Sequence, residues 1–295
     1  MKSTKNYNMT RWIFVLPALI IVGSLLVYPI FSSVFFSLTN KHLIKPNYSF
    51  VGLKNYIAIL TDTDFYTAFF NSLKWTICSL LGQILVGFTA ALALNRVKYL
   101  KSIYKTILII PWAFPSIVIA LSWKWILNGV SGYLPNLLVQ LGLASEIPQF
   151  LTDRALVFPT LVFINIWFGA PMIMVNVLSA LQTIPKEQYE AAQIDGAKKW
   201  QSFIYITLPH IKVVVGLLVV LRTIWVFNNF DIIYLITGGG PANATTTVPI
   251  YAYNMGWGAK ALGRSSAVTI LLLLFLLTVC TIYFKVINKW EKEDK

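Results

Sequence analysis

Long apolar runs alternate with short polar stretches along the chain, and this alternation is the strongest pattern in the sequence. A helix that crosses a bilayer needs about 20 predominantly apolar residues. By this criterion the pattern predicts an all-α integral membrane protein. We expect six transmembrane helices, at about residues 12–38, 69–94, 103–127, 156–181, 210–236 and 265–284.

Two of these runs are interrupted. The third contains Pro111 and Pro115, and the fifth contains Arg222 and Asp231. We count the fifth as a span because ionisable residues inside a span are usually functional. The uncharged run 125–145 is not counted, since its glycines and its proline break it into a loop and a surface helix.

A polar hairpin, residues 184–209, separates the fourth and fifth spans. Residues 186–194 are good helix formers, and Gly196 can adopt the left-handed conformation that ends a helix. A second short helix is expected at about 197–207, before Pro209 restarts the chain into the membrane. The pattern predicts a helix, a turn and a helix.

The hairpin carries the features of a docking element. Ala191 and Ala192 are small enough to let another protein approach closely, and Glu190 offers a carboxylate to an Arg or Lys. The stretch resembles the cytoplasmic loop of the membrane subunits of ABC importers, in which Glu-Ala-Ala, a glycine and Ile-x-Leu-Pro recur at fixed spacing. The matching residues, with the aspartate beside the glycine, are Glu190, Ala191, Ala192, Asp195, Gly196, Ile206, Leu208 and Pro209.

The resemblance implies that the first helix of the hairpin is a coupling helix, which sits in a cleft of an ATP-hydrolysing subunit. The residues alone leave a second interpretation open, an amphipathic hairpin that lies on the membrane surface.

Composition agrees with a membrane protein. The 295 residues are 57% hydrophobic and only 12% charged, and the mean hydropathy is +0.69. A formal net charge of +13 would suggest nucleic acid as the partner of a soluble protein, but here the charges fall in loops and tails, so no nucleic acid is expected. Cys78 and Cys280 lie in apolar runs and are expected to serve packing rather than a disulfide.

The distribution of Lys and Arg predicts the orientation. Fifteen fall in the termini and in or beside the loop after span two and the hairpin, against eight towards the other face. The positive-inside rule therefore places both termini and the hairpin in the cytoplasm of a multi-pass protein of a bacterial or archaeal cell (inner) membrane. The predicted segments are a tail 1–11, the first transmembrane helix 12–38, an extracytoplasmic loop 39–68, a permease core 69–286 and a tail 287–295.

Polar and aromatic residues inside spans four and five mark a candidate substrate pathway. Arg222, Trp225 and Asn229 share one face of span five, and Gly169 and Met172 share one face of span four. Resemblance to maltose-type permeases implies that the sugar-touching positions are Phe168, Gly169, Met172, Arg222, Trp225, Val226 and Asn229. Those permeases have serine and asparagine where this chain has Arg222 and Val226, so the identity of the sugar does not transfer.

Two further inferences follow from spacing and from the outer segments. Arg222 and Asp231 are nine residues apart and would lie on opposite faces of an unbroken helix, so separate partners are expected. Residues 50–71 and 235–257 resemble the outer segments of one permease type of sugar importers. A turn with three glycines at 238–240 is expected to contact an extracytoplasmic binding protein.

Taken with the resemblance, these patterns imply the membrane-spanning permease subunit of an ATP-driven, binding-protein-dependent importer of a sugar or oligosaccharide. It is not expected to be an enzyme. The chain contains no phosphate-binding loop, so no cofactor is expected here, and ATP and Mg belong to partner ATPase subunits. The expected partners are a second permease in a heterodimer, two ATP-binding subunits, an extracytoplasmic solute-binding protein, membrane lipid and a sugar.

Two alternatives stay open. Arg222 would suit an importer of an anionic sugar derivative or glycerol phosphate. Arg222 and Asp231 together would suit an ion-coupled secondary carrier, which requires ionisable groups at the midplane.

Overall fold

The computed structural model describes residues 3–293, and most of them are helical. The predicted tail residues 1–2 and 294–295 lie outside the described residues. The helices are α1 (Ser3–Val22), α2 (Tyr28–Ser37), α3 (Lys54–Leu60), α4 (Thr63–Arg96), α5 (Lys101–Ala113), α6 (Ser116–Ile126), α7 (Tyr133–Gln140), α8 (Val157–Leu181), α9 (Lys186–Ile194), α10 (Lys199–Ser202), α11 (Leu208–Phe227), α12 (Asp231–Thr237), α13 (Val248–Tyr253) and α14 (Leu262–Glu293).

The apolar runs coincide with the long helices, which confirms the predicted all-α membrane class. Within residues 3–293, five helical stretches are long and apolar enough to cross a membrane, and one bent pair of helices would make a sixth. The five are Phe14–Ser37, Thr63–Arg96, Val157–Leu181, Lys199–Thr237 and Leu262–Trp290.

The third predicted span is not a single helix. Helices α5 and α6 meet at 88° across a short break. Phe114 is extended there, with ψ 148°, because a proline disfavours the helical conformation of the residue before it. Pro115 therefore ends α5 and starts α6, whereas Pro111 is tolerated inside α5.

The sequence predicted that Pro209 would separate two helices, and this prediction is wrong. A π-helical turn, Phe203–Thr207, joins α10 to α11, and the Leu208 N–H donates to the carbonyl of Phe203. Proline has no N–H to donate, and its ring would crowd the preceding turn of an α-helix. The wider π-helical turn leaves space for the ring, so the helix continues through Pro209. The same device precedes Pro29, where the turn Gly23–Val27 joins α1 to α2.

The fifth predicted span is broken near its far end. Helix α11 ends at Phe227, and α12 begins at Asp231. Arg222 and Asp231 consequently belong to different helices.

The chain divides into two compact units. The first contains the chain up to Phe65 and Tyr251–Phe275. In it, the Asn55 side chain donates to the carbonyls of Ser37 and Thr39, both at 2.8 Å. The Tyr251 hydroxyl donates to Asp62 Oδ2 at 2.6 Å, and burial together with this carboxylate raises the pKa of Tyr251.

The second unit contains Tyr66–Ile250 and the chain from Leu276 onward. One buried cluster gathers Trp75, Leu161, Ile164 and Ile233. A second cluster, nearer the hairpin, gathers Leu94, Met174, Val177 and Ile211. These clusters pack α4 and α8 together along much of their length.

Candidate coupling and translocation sites

The tip of the polar hairpin is fully presented to the surroundings. Glu190, Ala191, Asp195 and Gly196 are exposed, and Ala192 is half-buried. Gly196 has φ +77°, and an added Cβ would meet nothing within 4 Å, so the glycine is required for the backbone turn and not for space. Beside these residues Ile194 is 87% exposed. The tip thus combines a carboxylate pair with an unpaired apolar side chain.

The base of the hairpin is held by contacts that sequence reasoning missed. The hydroxyls of Tyr189 and Thr207 lie 2.8 Å apart, linking α9 to the π-helical turn. Ile206 packs against the buried cluster near the hairpin, whereas Leu208 and Pro209 are exposed at the start of α11. The last three residues of the predicted coupling set therefore lie at the base of the hairpin and not at its tip.

Arg222 is buried in the middle of the second unit, where it is only 6% exposed. Its Nε and Nη2 both donate to Gln83 Oε1 on α4, at 3.0 and 2.6 Å. Gln83 is itself fully buried, and its Nε2 donates to the backbone carbonyl of Asn165 on α8 at 2.9 Å. One amide side chain thus links α4, α8 and α11.

Three of the predicted pathway residues surround this guanidinium. Met172 Sδ lies 3.8 Å from Arg222 Nη1, and the Arg222 Cζ lies 5.9 Å from the ring of Trp225. A Cβ on Gly169 would overlap both Arg222 Nη2 and Gln83 Nε2, so the pair occupies the space that a side chain at position 169 would take. The structure therefore brings together Gly169, Met172, Arg222 and Trp225.

The charge of Arg222 is not neutralised by a carboxylate. Its partners among the described residues are an amide, a thioether and an aromatic face, all of them uncharged. A charge at the centre of a membrane helix costs about 2.5–3.5 kcal/mol or more, and such charges usually have partners. Gln83 supplies strong hydrogen bonds, but no residue in the range 3–293 provides the cation with a counter-charge.

Three other predicted pathway residues lie elsewhere. Phe168 packs against the cluster around Trp75, and Val226 is 2% exposed with its carbonyl accepting from Trp75 Nε1 at 2.9 Å. Asn229 follows the end of α11, and its Oδ1 is buried without a hydrogen-bond partner among the described residues. Phe168 and Val226 are thus core residues within this chain.

Asp231 has a partner of its own, although the prediction of separate partners assumed an unbroken helix and the helix is broken between Phe227 and Asp231. Ser116 Oγ donates to Asp231 Oδ2 at 2.7 Å. This bond connects the first residues of α6 and α12, directly after the two breaks in the membrane helices.

The glycine-rich segment at 238–240 belongs to a tightly bonded loop. Gly238 and Gly239 have φ +65° and +95°, and the hydroxyl of Thr246 donates to the Gly239 carbonyl at 3.0 Å. The Asn71 side chain donates to the carbonyls of Asn243 and Thr246, both at 3.1 Å. The loop is thereby anchored to α4.

Gln83 is the most important residue that the sequence analysis overlooked. It is an uncharged amide in span two, whereas the candidate pathway residues all lie in spans four and five. Its signal was present, because a buried amide in a spanning helix must find partners.

The chain is similar to known transport proteins over most of its length. Residues 83–291 match the family of binding-protein-dependent transport system inner membrane components. The trehalose/maltose transport system permease protein MalF of Thermococcus litoralis is 33% identical over 93% of this chain and 92% of its own. The inner membrane ABC transporter permease protein YcjO of Escherichia coli is 31% identical over 92% of each chain.

Solved structures show the same fold. A subunit of a bacterial ABC transporter that imports the acidic polysaccharide alginate superposes with a TM-score of 0.84, at 23% identity and over 96% of both chains. The MetNI methionine ABC transporter matches with a TM-score of 0.57 at 16% identity, over 80% of this chain and 98% of that one. The relatives are permease subunits, so the chain is a transport component and ATP hydrolysis belongs to separate subunits. The chain belongs to the family of inner-membrane components of binding-protein-dependent ABC transport systems.

Proposed function

We propose that this chain is one of two permeases of a sugar or oligosaccharide importer and that ATPase subunits drive it through the hairpin tip. The observation that carries this proposal is a continuous helical rod. The chain from Lys199 to Phe227 is helical without a break, spanning about 40 Å at 1.5 Å per residue. One end of the rod begins at the exposed hairpin, and the other end holds Arg222 in the core.

The rod explains how a movement outside the membrane reaches the pathway. A partner that grips Glu190, Ala191 and Asp195 moves the base of the hairpin through the Tyr189–Thr207 contact. Helix α11 then moves with the hairpin, because the π-helical turn keeps the rod continuous through Pro209. Arg222 and Trp225 shift relative to α4 and α8, which is what alternating access requires.

A sugar is supported by the relatives and by the chemistry of the pathway. The Thermococcus litoralis relative is a trehalose/maltose permease protein. Trp225 is 51% exposed, and an accessible indole can stack on the C–H surface of a sugar ring while amides bond its hydroxyls.

The proposed assembly contains a second permease, two ATP-binding subunits that hold ATP and Mg, and an extracytoplasmic binding protein. Both termini and the hairpin face the cytoplasm in this proposal, as the Lys and Arg distribution predicts. The anchored loop at 238–246 lies on the opposite side, where a binding protein would deliver the substrate.

The test is the composition and ATPase activity of the complex purified through a tag on this chain, with its partner subunits co-expressed. Gly196→Trp should release the ATPase subunits and lower ATPase activity at least tenfold. Gly142→Trp is a matched control, because Gly142 also has a positive φ, +69°, with nothing within 4 Å of an added Cβ, and lies outside the hairpin. Equal ATPase retention in both variants would contradict coupling at the hairpin tip. Transport by the chain alone without ATP would favour an ion-coupled carrier.

A second candidate is an importer of an anionic saccharide. The observation that favours it is the buried Arg222, which lacks a counter-charge among the described residues. A carboxylate or phosphate on the substrate would supply that charge, and so would an acidic residue of the second permease. The uptake of carboxylated and neutral forms of one saccharide, compared with and without Arg222→Gln, distinguishes a charged cargo from a structural role.

A further inference from the structure

A basic cavity lies in the first unit. Its volume is about 680 Å³, large enough for a small polar group. Four basic or titratable side chains line it, namely Lys41, His42, Lys54 and Arg264. Within the described part of the chain its lining contains no Asp or Glu.

The cavity is built by the backbone. The Leu43 N–H donates to the Lys260 carbonyl at 2.8 Å, and the Gly263 N–H donates to the Lys41 carbonyl at 2.9 Å. A Cβ on Gly263 would overlap the Thr39 carbonyl, so the two chain segments approach as closely as glycine allows. The basic side chains are thus held on a framework that exists before any ligand binds.

The basic side chains are available for a ligand. Lys54 and Arg264 are exposed, while Lys41 and His42 are half-buried. The Lys41 ammonium rests 4.4 Å above the ring of Tyr48, a contact that orients the cation without neutralising it. Asp62, in the same unit, is already engaged by the Tyr251 hydroxyl.

The surroundings of the cavity are apolar and exposed. Ile57 lines the cavity and is 63% exposed, and Ile44, Phe50 and Leu53 on the neighbouring segments are 72%, 70% and 64% exposed. In the same unit, the helical stretch Phe14–Ser37 has no buried residue in its most apolar part. Basic side chains beside an exposed apolar surface and an aromatic ring are typical of the boundary between lipid headgroups and acyl chains.

We propose that this cavity binds the phosphate of an anionic lipid headgroup, with the acyl chains lying over the apolar surface around Ile57. Lys54 and Arg264 contact the phosphate from the open side, and Lys41 and His42 contact it from within. A lipid fits better than a soluble anion because the cavity opens among exposed apolar side chains that a free phosphate would leave in water. The inference rests on the membrane location of the chain and is independent of its cargo.

The test uses the complete complex in nanodiscs, with native mass spectrometry to count retained phosphatidylglycerol and phosphatidylcholine. The variant Lys41→Gln/Lys54→Gln/Arg264→Gln should bind phosphatidylglycerol about a hundredfold more weakly and so retain far less of it, since each of the three basic side chains contributes on the order of fivefold in affinity near an anionic lipid. The matched control is Lys45→Gln/Lys74→Gln/Arg154→Gln. It also removes two lysines and one arginine, but from exposed positions outside the cavity. Retention by the control should equal that of the unchanged protein.

A second variant protects the test against a folding defect. Ala58→Phe fills the cavity from its lining while keeping all four basic side chains, and it should also release phosphatidylglycerol. Equal lipid retention by the cavity variants and the control would overturn the proposal. Displacement of the lipid by millimolar inorganic phosphate would show that the cavity takes a soluble anion, and this outcome would overturn the lipid assignment.

Discussion

Arg222 and Gln83 form a buried pair of a cation and a neutral amide. The guanidinium is satisfied by a neutral acceptor at 3.0 and 2.6 Å, so its hydrogen bonds are met while its charge is retained. A carboxylate at the position of Gln83 would have neutralised the cation. The choice of an amide keeps a positive charge in the core, available to a negative group from outside the chain.

Replacement of Gln83 tests the structural half of this pair. Gln83→Leu leaves a buried cation without its acceptor and should lower the free energy of unfolding of the complex by about 1.5–3 kcal/mol, the range for hydrogen bonds to charged groups. The measurement is denaturant or thermal unfolding in detergent. The double variant Gln83→Leu/Arg222→Leu removes both partners, so its free energy of unfolding should fall by less than that of Gln83→Leu alone. A larger decrease in the double variant would show that Arg222 is not held by Gln83.

Replacement of Arg222 tests the functional half. Arg222→Gln retains an amide that can bond Gln83, so the complex should unfold within about 1 kcal/mol of the unchanged protein. Uptake of a carboxylated saccharide should fall relative to its neutral form. Unchanged preference between the two forms would assign Arg222 to pairing with the second permease.

At the scale of the elements, α4 and α8 pack closely through glycines on α4. A Cβ on Gly87 would lie 2.6 Å from the Ala170 carbonyl oxygen and 2.7 Å from Ile173 Cβ. Lipid offers little hydrophobic drive for helix association, so close packing of small residues becomes the main source of contact. The same close packing places Gln83 within reach of Asn165 and Arg222.

Gly87→Leu should therefore separate α4 from α8. We expect the free energy of unfolding to fall by about 3 kcal/mol, or the complex to fail to assemble. The reason is that the Ala170 carbonyl is a backbone group and cannot move aside. Thermal unfolding and size-exclusion chromatography of the purified complex measure the effect. Gly23→Leu is the control, since an added Cβ at Gly23 meets nothing within 4 Å; equal stability of the two variants would show that α4 and α8 are not tightly packed in the membrane.

For the whole molecule, the proposed mechanism depends on orientation. The hairpin reaches ATPase subunits only if it faces the cytoplasm, and the positive-inside rule then predicts that the loop carrying Lys41 is extracytoplasmic. Both proposals use the membrane orientation that the distribution of Lys and Arg predicts.

Sided labelling of single cysteines tests that assignment. In a background of Cys78→Ala and Cys280→Ala, a membrane-impermeant maleimide added to intact cells should label Lys45→Cys and leave Lys98→Cys unlabelled. Both lysines are exposed, and both variants should react after the membrane is opened. The reverse pattern would place the hairpin outside and exclude its coupling to ATP.

The sequence alone determined the membrane class, the long helices and the hairpin, because these depend on local composition and spacing. An apolar run long enough to span a bilayer has few alternatives to a helix. Gly196 marks the end of α9 because a positive φ is accessible to glycine. The family could also be named from the hairpin, whose motif is contiguous in the chain.

Tertiary structure decided the rest, because the relevant partners are far apart in the chain. The 88° break at Phe114 and the continuity of the helix through Pro209 both involve proline, whose effect depends on whether the backbone around it can widen or turn. The pairing of Gln83 with Arg222 joins residues 139 positions apart, and no local pattern indicates it. Spacing brought Arg222 and Trp225 to one helix face, but only the packing of three helices left the charge buried beside an amide and, in the part of the chain that the structure describes, without a carboxylate.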